Sequence, residues 1–190
     1  MSVIAGEGIP IDPPERHRAI AAGFSAVCRA VTDWSAPTPV PEWRAADVVE
    51  HLITWVRGFL AESADLGRAP DVLAGPATAW EVHADAVQAV LDDPASERAT
   101  FANPHVGELP LREAIDRFYT SDVFMHTWDL ARSAGLPDPL DPRLAGEMLA
   151  GMAPMEEMLR ASGQVGEAAR PVAHDASPGD RLMAFLGRAV

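Results

Sequence analysis

The chain has 190 residues, of which 48% are hydrophobic and 23% are charged. This balance predicts a globular protein with a substantial core and excludes a disordered or fibrous chain. The formal net charge of -13 argues against nucleic acid as a partner, because basic side chains would be needed to offset the phosphate repulsion.

Three further features of the sequence predict a soluble, cytoplasmic protein. Cys28 is the only cysteine, so an internal disulfide framework is excluded. The sequence has no run of about 18 apolar residues that would predict a membrane span. Residues 1–20 lack the basic region followed by an apolar core that is typical of a secretory signal. We therefore expect no membrane partner.

The first half of the chain is predicted to form three helices, over residues 14–32, 44–64 and 76–91. In each segment apolar residues recur at helical spacing, and proline or glycine follows or precedes the pattern. The predicted apolar faces are Ile20, Phe24, Val27 and Val31; Val48, Val49, Leu52, Ile53, Val56, Phe59 and Leu60; and Trp80, Ala84, Val87 and Leu91.

The second half of the chain begins with a polar, turn-rich segment, 95–109, which is predicted to be a loop. A fourth helix is predicted at about 111–134, where Gly135 provides the usual exit. A shorter helix is expected at about 141–162, and the tail 177–190 offers apolar side chains for docking.

Together these segments predict an all-α fold. Four main helices with short connections, and no persuasive strand alternation, are typical of an up-down four-helix bundle. We expect one domain over residues 1–190, with the bundle at about 14–135 and a C-terminal helical extension at about 136–190.

A carboxylate and an imidazole lie four residues apart in SDVFMHTWDLARSAG, residues 121–135. Asp122 and His126 share one face of the fourth predicted helix, close enough to bind one ion. The third ligand must come from another helix, and His51, at the edge of the second apolar stripe, is the best candidate. Two imidazoles and one carboxylate with open positions indicate a catalytic site for zinc, nickel or ferrous iron. Such an ion would activate a bound water or thiol.

The same three residues also have structural interpretations. Asp122 and His126 could simply hydrogen-bond to each other or lie on a solvated helix face. His51 could be an ordinary core histidine with its polar atoms satisfied. Spacing alone leaves these alternatives open.

The other histidines and the cysteine are weaker candidates. His83 faces the predicted core and could be a fourth ligand or a core residue, whereas His105 could line the mouth of the site. His17 and His174 are predicted to be surface residues. Cys28 lies among apolar residues, which predicts a buried thiol of low reactivity.

Several residues near His126 also have two interpretations. Asp129 could orient an imidazole or pair with an arginine such as Arg132 or Arg44. Trp128 is predicted to pack against the C-terminal segment, and Tyr119 could assist catalysis or belong to the core. Three further tryptophans are interpreted as core or pocket-wall residues: Trp43, Trp55 and Trp80.

Three blocks of the sequence resemble one actinobacterial family: PTPVPEWRAADVVEHL at 37–52, DVFMHTWDLARSAG at 122–135 and DRLMAFLGR at 180–188. In the same order, and over nearly the whole chain, they are similar to DinB-like metal-binding proteins related to the N-terminal domain of mycothiol-dependent maleylpyruvate isomerase. The resemblance implies a four-helix bundle that holds a divalent metal. The ligands would be a histidine on the second helix and a carboxylate and a histidine one turn apart on the fourth. The matching positions are His51, Asp122 and His126.

The resemblance also implies a class of activity. In this superfamily the metal presents a low-molecular-weight thiolate, such as mycothiol or bacillithiol, to an electrophilic small-molecule substrate in isomerisation or S-transfer. We therefore expect a divalent metal, zinc foremost with nickel or iron as alternatives, and a thiol cosubstrate. The alternatives are a metal-dependent hydrolase with the same ligands and a non-catalytic bundle that binds a metal or small ligand. A homodimer through exposed helix faces is left open.

Overall fold

The computed structural model describes residues 8–104, 106–161, 163, 165–169 and 172–190. Three long helices form the first half: α1 (Pro13–Ala30), α2 (Ala45–Leu60) and α3 (Pro76–Asp92). Their starts agree with the prediction to within one residue, and each of α1 and α3 begins with a proline in its first turn, where a missing N–H costs nothing.

The fourth long helix is continuous over residues 111–133 but not uniform. It begins as α4 (Leu111–Ala114), widens into a π-helical segment (Ile115–Thr120) and continues as α5 (Ser121–Ser133). The sequence did not predict the π-helical segment. Such segments are rare and are often found at functional sites.

The helices pack as a four-helix bundle. Helices α1 and α2 each pack against both α3 and α5, which places α1 and α2 across the bundle from each other. The predicted all-α bundle is therefore confirmed in its main elements. The fully buried core contains large side chains from all four long helices, among them Phe24, Leu52, Trp80, Leu91, Tyr119 and Trp128.

The segment predicted as a loop contains regular structure, so the expectation of no strands is wrong there. A short 3-10 helix (Pro94–Glu97) precedes an antiparallel hairpin of β1 (Thr100–Asn103) and β2 (Gly107–Pro110). Four-residue strands are too short to show a convincing alternation. The buried ring of Phe101 anchors the hairpin, with its centroid 4.4 Å from that of Phe59.

The C-terminal part of the chain contains helices α6 (Pro142–Met152), α7 (Glu156–Ala161) and α8 (Pro178–Phe185). A 3-10 segment (Ala153–Met155) interrupts the helix predicted at 141–162, because a proline within it cannot donate a backbone hydrogen bond. Helix α8 packs against α6 and α5. None of the described helices is both long enough and apolar enough to cross a membrane.

Candidate metal centre

Three side chains from two facing helices meet near one end of a surface pocket. His51 projects from α2, and Asp122 and His126 project from α5. Their side chains are 30%, 20% and 6% exposed, so the centre is open to solvent on the side of His51. The structure thus brings together the three residues that the sequence predicted as a set.

The spacing of the three side chains fits a single small cation. His51 Nε2 lies 3.1 Å from Asp122 Oδ2, and His126 Nε2 lies 3.5 Å from Asp122 Oδ1. One ligand atom from each residue lies within 4.8 Å of the other two. Ligands about 2.1 Å from a tetrahedral zinc ion would lie roughly 3.4 Å apart, close to these distances. The donor set of two imidazoles and one carboxylate therefore suits a divalent transition metal.

Asp122 provides the negative charge of the centre. Burial would raise the pKa of its carboxyl, but His126, His51 and the indole N–H of Trp55 together lower that pKa below its usual value. The indole Nε1 donates to Asp122 Oδ2 over 2.9 Å. Asp122 is therefore ionised at neutral pH and available to balance a cation.

A second carboxylate fixes the orientation of His126. Asp129 has no exposed surface, and its Oδ2 lies 2.9 Å from His126 Nδ1. Burial would lower the pKa of His126, but Asp122 and Asp129 raise it above its ordinary value. A hydrogen bond from Nδ1–H to Asp129 leaves the lone pair of Nε2 facing Asp122, which is the arrangement of a metal-binding imidazole.

Arg188 anchors that second carboxylate and was not predicted. Its Nη2 donates to Asp129 Oδ2 over 3.1 Å, and its Nε donates to Asp129 Oδ1 over 3.2 Å. The sequence offered Arg132 and Arg44 as partners of Asp129, but Arg132 pairs with Asp180 and Arg44 donates to the carbonyl of Ser35. Both interpretations of Asp129 hold, because it orients the imidazole of His126 and also pairs with an arginine, which is Arg188 rather than Arg132 or Arg44.

Tryptophan rings form the walls around the centre. The ring of Trp43 is stacked on His126 at 5.6 Å between centroids and lies 4.8 Å from His51. A pocket of about 410 Å³ opens beside His51 and is lined by Trp43, Asp47, Glu50, His51, Thr54 and Trp55. This volume can admit a small organic molecule.

The remaining histidines lie away from the centre. His83 is fully buried but is not part of the three-residue cluster. His17 is also fully buried, so its prediction as a surface residue is wrong. It lies three residues before Ile20 and seven before Phe24, on the apolar face of α1, and this spacing could have revealed its position. His174 is exposed as predicted, and His105 lies outside the described residues.

Two other predictions near the bundle are confirmed. Trp128 is buried, and its indole N–H donates to Asp180 of α8 over 2.9 Å, so it does pack against the C-terminal segment. Cys28 is buried, and burial raises the pKa of its thiol to about 12, which removes it as a nucleophile. Tyr119 is fully buried within the core.

The fold and the His-Asp-His cluster define a helical bundle with a candidate metal site, and comparisons with known proteins agree. The family described as mycothiol maleylpyruvate isomerase N-terminal domain matches residues 17–131. Two relatives, both uncharacterized proteins of Mycobacterium tuberculosis, are 32% identical over 186 residues, covering 95% of this chain and 100% of each relative. No solved structure matches the chain significantly.

The chain therefore belongs to the mycothiol maleylpyruvate isomerase N-terminal domain family, which is DinB-like and metal-binding. The matched segment includes the cluster residues His51, Asp122 and His126 and also Asp129. Arg188, which anchors Asp129, lies beyond the matched segment.

Proposed function

We propose that the protein binds a divalent metal, zinc foremost, through His51, Asp122 and His126, and uses it in a thiol-dependent transfer or isomerisation. The observation that carries this proposal is the convergence of both Nε2 atoms on the two oxygens of one carboxylate, at 3.1 and 3.5 Å. Membership of a family named for a mycothiol-dependent isomerase supports the thiol-dependent class of reaction.

The hydrogen bonds around the three residues support a ligand role over a purely structural pair. A structural Asp-His pair needs one imidazole, whereas Asp122 faces two. The buried Asp129 and the guanidinium of Arg188 keep the proton of His126 on Nδ1 and its Nε2 free. The Trp55 N–H donates to Asp122 Oδ2, the same oxygen that His51 Nε2 approaches, and so helps to fix the carboxylate.

The bound ion would supply Lewis acidity and would lower the pKa of a coordinated thiol or water. The chain would supply the rest. Trp43 and Trp55 shield the centre from water on two sides, and the pocket beside His51 gives a small molecule access from solvent. The carboxylates of Asp47 and Glu50 line that pocket, and no described arginine makes an ion pair at it. An uncharged, hydroxyl-rich or cationic thiol would therefore bind better than a strongly anionic one.

We also propose that the bundle and the C-terminal residues act as one domain. Arg188, near the end of the chain, pairs with Asp129 beside His126, and Asp180 of α8 pairs with Trp128 and Arg132 of α5. A change in the C-terminal segment would therefore alter the surroundings of the metal centre.

The metal part of the proposal is tested by elemental analysis of protein purified without an affinity tag. Near-stoichiometric zinc, nickel or iron in the wild type, lost in Asp122→Ala and His126→Ala, is the expected result. His174→Ala is the matched control, because this exposed histidine is not in the cluster, and it should retain the metal. Folded wild-type protein that takes up no added ion would overturn the proposal.

The thiol part is tested separately on cobalt-substituted protein. Mycothiol should change the visible spectrum at up to millimolar concentration, because a sulfur ligand to cobalt has strong charge-transfer absorption. A spectrum unchanged by thiols, together with turnover of esters or amides without thiol, would favour the metal-dependent hydrolase instead. A spectrum unchanged by thiols, with no turnover of any substrate class, would favour the non-catalytic metal-binding bundle.

A further inference from the structure

A second group of polar side chains lies inside the bundle, between α1, α3 and the π-helical segment. His17, His83, Tyr119 and Thr120 have no exposed surface. The ring centroid of Tyr119 lies 5.7 Å from that of His17 and 5.8 Å from that of His83, which it meets edge-on. One buried phenol therefore contacts two buried imidazoles that come from different helices.

Most polar atoms of this group have no partner among the described protein atoms. His17 Nδ1 lies 3.1 Å from Thr120 Oγ1 and is satisfied. His17 Nε2, both ring nitrogens of His83 and Tyr119 Oη are buried and make no hydrogen bond within the described protein. Leaving four such groups unsatisfied would cost a large part of the net stability of a domain of this size. The four atoms thus require a partner that the chain does not supply.

The charge state of the group restricts what that partner can be. Burial lowers the pKa of His17 to about 4 and that of His83 to about 3, so both imidazoles are neutral at pH 7. Burial also raises the pKa of Tyr119 well above its usual value, so its hydroxyl stays protonated. Each neutral ring offers one N–H donor and one lone pair, and the phenol offers both functions.

A charged partner fits these surroundings poorly. No carboxylate forms a hydrogen bond with His17, His83 or Tyr119 in the described part of the chain, so a buried cation would lack a balancing charge. An anion would have only neutral donors in direct contact, because the guanidinium of Arg57, whose charge acts on His83 and Tyr119, donates to the carbonyls of Leu66, Gly67 and Arg68 instead. A small, uncharged molecule that both donates and accepts hydrogen bonds matches all four atoms.

We propose that His17, His83 and Tyr119 form an internal binding site for a small, uncharged hydrogen-bonding molecule, namely water. Water is the smallest molecule with both functions, and internal water usually makes about three hydrogen bonds to buried polar groups. The π-helical segment contributes to the site directly, because both Tyr119 and Thr120 belong to it.

This internal site lies next to the candidate metal centre. The ring of Tyr119 is 5.9 Å from the ring of Trp55, and the Trp55 indole N–H donates to Asp122. The bound water would hold Tyr119 in one position, and Tyr119 would in turn restrict the position of the Trp55 ring that packs against it. The site would belong to the packing beneath the metal centre and does not depend on a metal being bound.

The site is tested by nuclear magnetic resonance on the full-length, isotope-labelled protein. We expect through-space contacts from slowly exchanging water to the carbon-bound ring protons of His17, His83 and Tyr119. The indole N–H of Trp80 is the internal control, because it is buried but already donates to Ser25 Oγ over 2.8 Å, and it should show no such contact. Absence of water contacts at all three rings would overturn the proposal.

Thermal unfolding of Tyr119→Phe gives an independent test, because the unfolding midpoint should shift in different directions with and without a bound water. If Oη bonds to an internal water, removing it deletes a hydrogen bond, and the unfolding midpoint should fall by a few degrees. If Oη has no partner, the same substitution removes an unsatisfied buried group, and the midpoint should stay constant or rise. The second result would overturn the proposal.

Discussion

The bundle contains two groups of histidines: His51 and His126 lie beside carboxylates, whereas the fully buried His17 and His83 form no ion pair with one among the described residues. Burial lowers the pKa of His126, His17 and His83 alike, but of these three only His126 has carboxylates within ion-pair distance in the described part of the chain. Asp122 and Asp129 raise the pKa of His126 above its ordinary value, whereas His17 and His83 have pKa values of about 4 and 3. Carboxylates beside a buried imidazole in this fold therefore supply the negative charge that a bound cation needs.

Removing the carboxylate charge of Asp122 should leave His51 and His126 with less negative charge beside them, as is the case for His17 and His83. Asp122→Asn keeps the shape of the side chain but removes its charge and one strong metal ligand. We expect the affinity for zinc to fall by at least about a thousandfold, since loss of a residue that only hydrogen-bonds to a metal ligand already costs about 10- to 100-fold. Competition with a chromophoric chelator measures this change. Asp116→Asn, on the same continuous helix but paired with Arg16, is the control and should retain the affinity. Equal affinity in both variants would contradict the metal assignment.

The inner histidines should make the protein sensitive to acid. Their pKa in the unfolded chain is near 6.5, and in the folded protein it is about 4 for His17 and about 3 for His83. Between these values the unfolded chain binds more protons, so the free energy of unfolding is highest above pH 6.5 and falls as the pH drops through this window. At pH 5 each of the two histidines should lower the free energy of unfolding by on the order of 2 kcal/mol relative to its value above pH 6.5.

Urea unfolding at pH 7 and pH 5 measures this loss of stability. His83→Leu removes one of the two titrating groups, so this variant should lose less stability between the two pH values than the wild type. His174→Asn, which changes an exposed histidine, should behave as the wild type. A pH dependence that is the same in His83→Leu and in the wild type would show that His83 is not held neutral by burial.

The link between Asp129 and Arg188 should be visible in stability. Asp129 is fully buried, and Arg188→Gln would remove its guanidinium partner and leave its carboxylate hydrogen-bonded to His126. We expect the free energy of unfolding to fall by roughly 1–3 kcal/mol, because a buried charge loses its partner. Arg181→Gln also lies in the C-terminal region, where the described residues give this arginine one side-chain hydrogen bond, to the carbonyl of His174, and it should change the free energy of unfolding by less than about 0.5 kcal/mol. Denaturant titration measures both values. Equal losses of unfolding free energy in the two variants would contradict a stabilising pair between Arg188 and Asp129.

The smallest effect is expected at the tryptophan that supports Asp122. Trp55→Phe keeps an aromatic wall but removes the indole N–H that donates to Asp122 Oδ2. Zinc affinity should fall by less than about tenfold, consistent with one hydrogen bond to a ligand. Trp80→Phe removes an indole that donates to Ser25 and should leave the affinity unchanged. A larger loss in Trp80→Phe would indicate general destabilisation and would contradict a local role for Trp55.

Local spacing in the sequence was sufficient to predict part of the centre. Asp122 and His126 are one helical turn apart, so helix geometry alone places them together. His51 could be predicted because it borders an apolar stripe whose neighbours are buried. His17 lies on the apolar face of α1 by the same rule, but histidine is common on protein surfaces, so residue type alone predicts exposure where the helical spacing indicates burial.

Other features depend on contacts that no local pattern records. Arg188 lies 59 residues from Asp129, and only the docking of the C-terminal segment brings them together. The π-helical segment (Ile115–Thr120) differs from an α-helix in its backbone hydrogen bonds, which join residues five rather than four positions apart, and no residue pattern in the sequence records that difference. The one-domain organisation over residues 1–190 and a homodimer both stay predictions.

X-ray absorption at the zinc edge tests the central claim most directly, because it reports the atoms bound to the metal. Zinc-loaded protein should show nitrogen and oxygen ligands at about 2.0–2.1 Å with the scattering pattern of two imidazoles, and mycothiol should add one sulfur at about 2.3 Å. Asp122→Asn should lose this spectrum. A zinc environment without two imidazoles, or one that no thiol changes, would contradict a thiol-dependent metal centre at His51, Asp122 and His126.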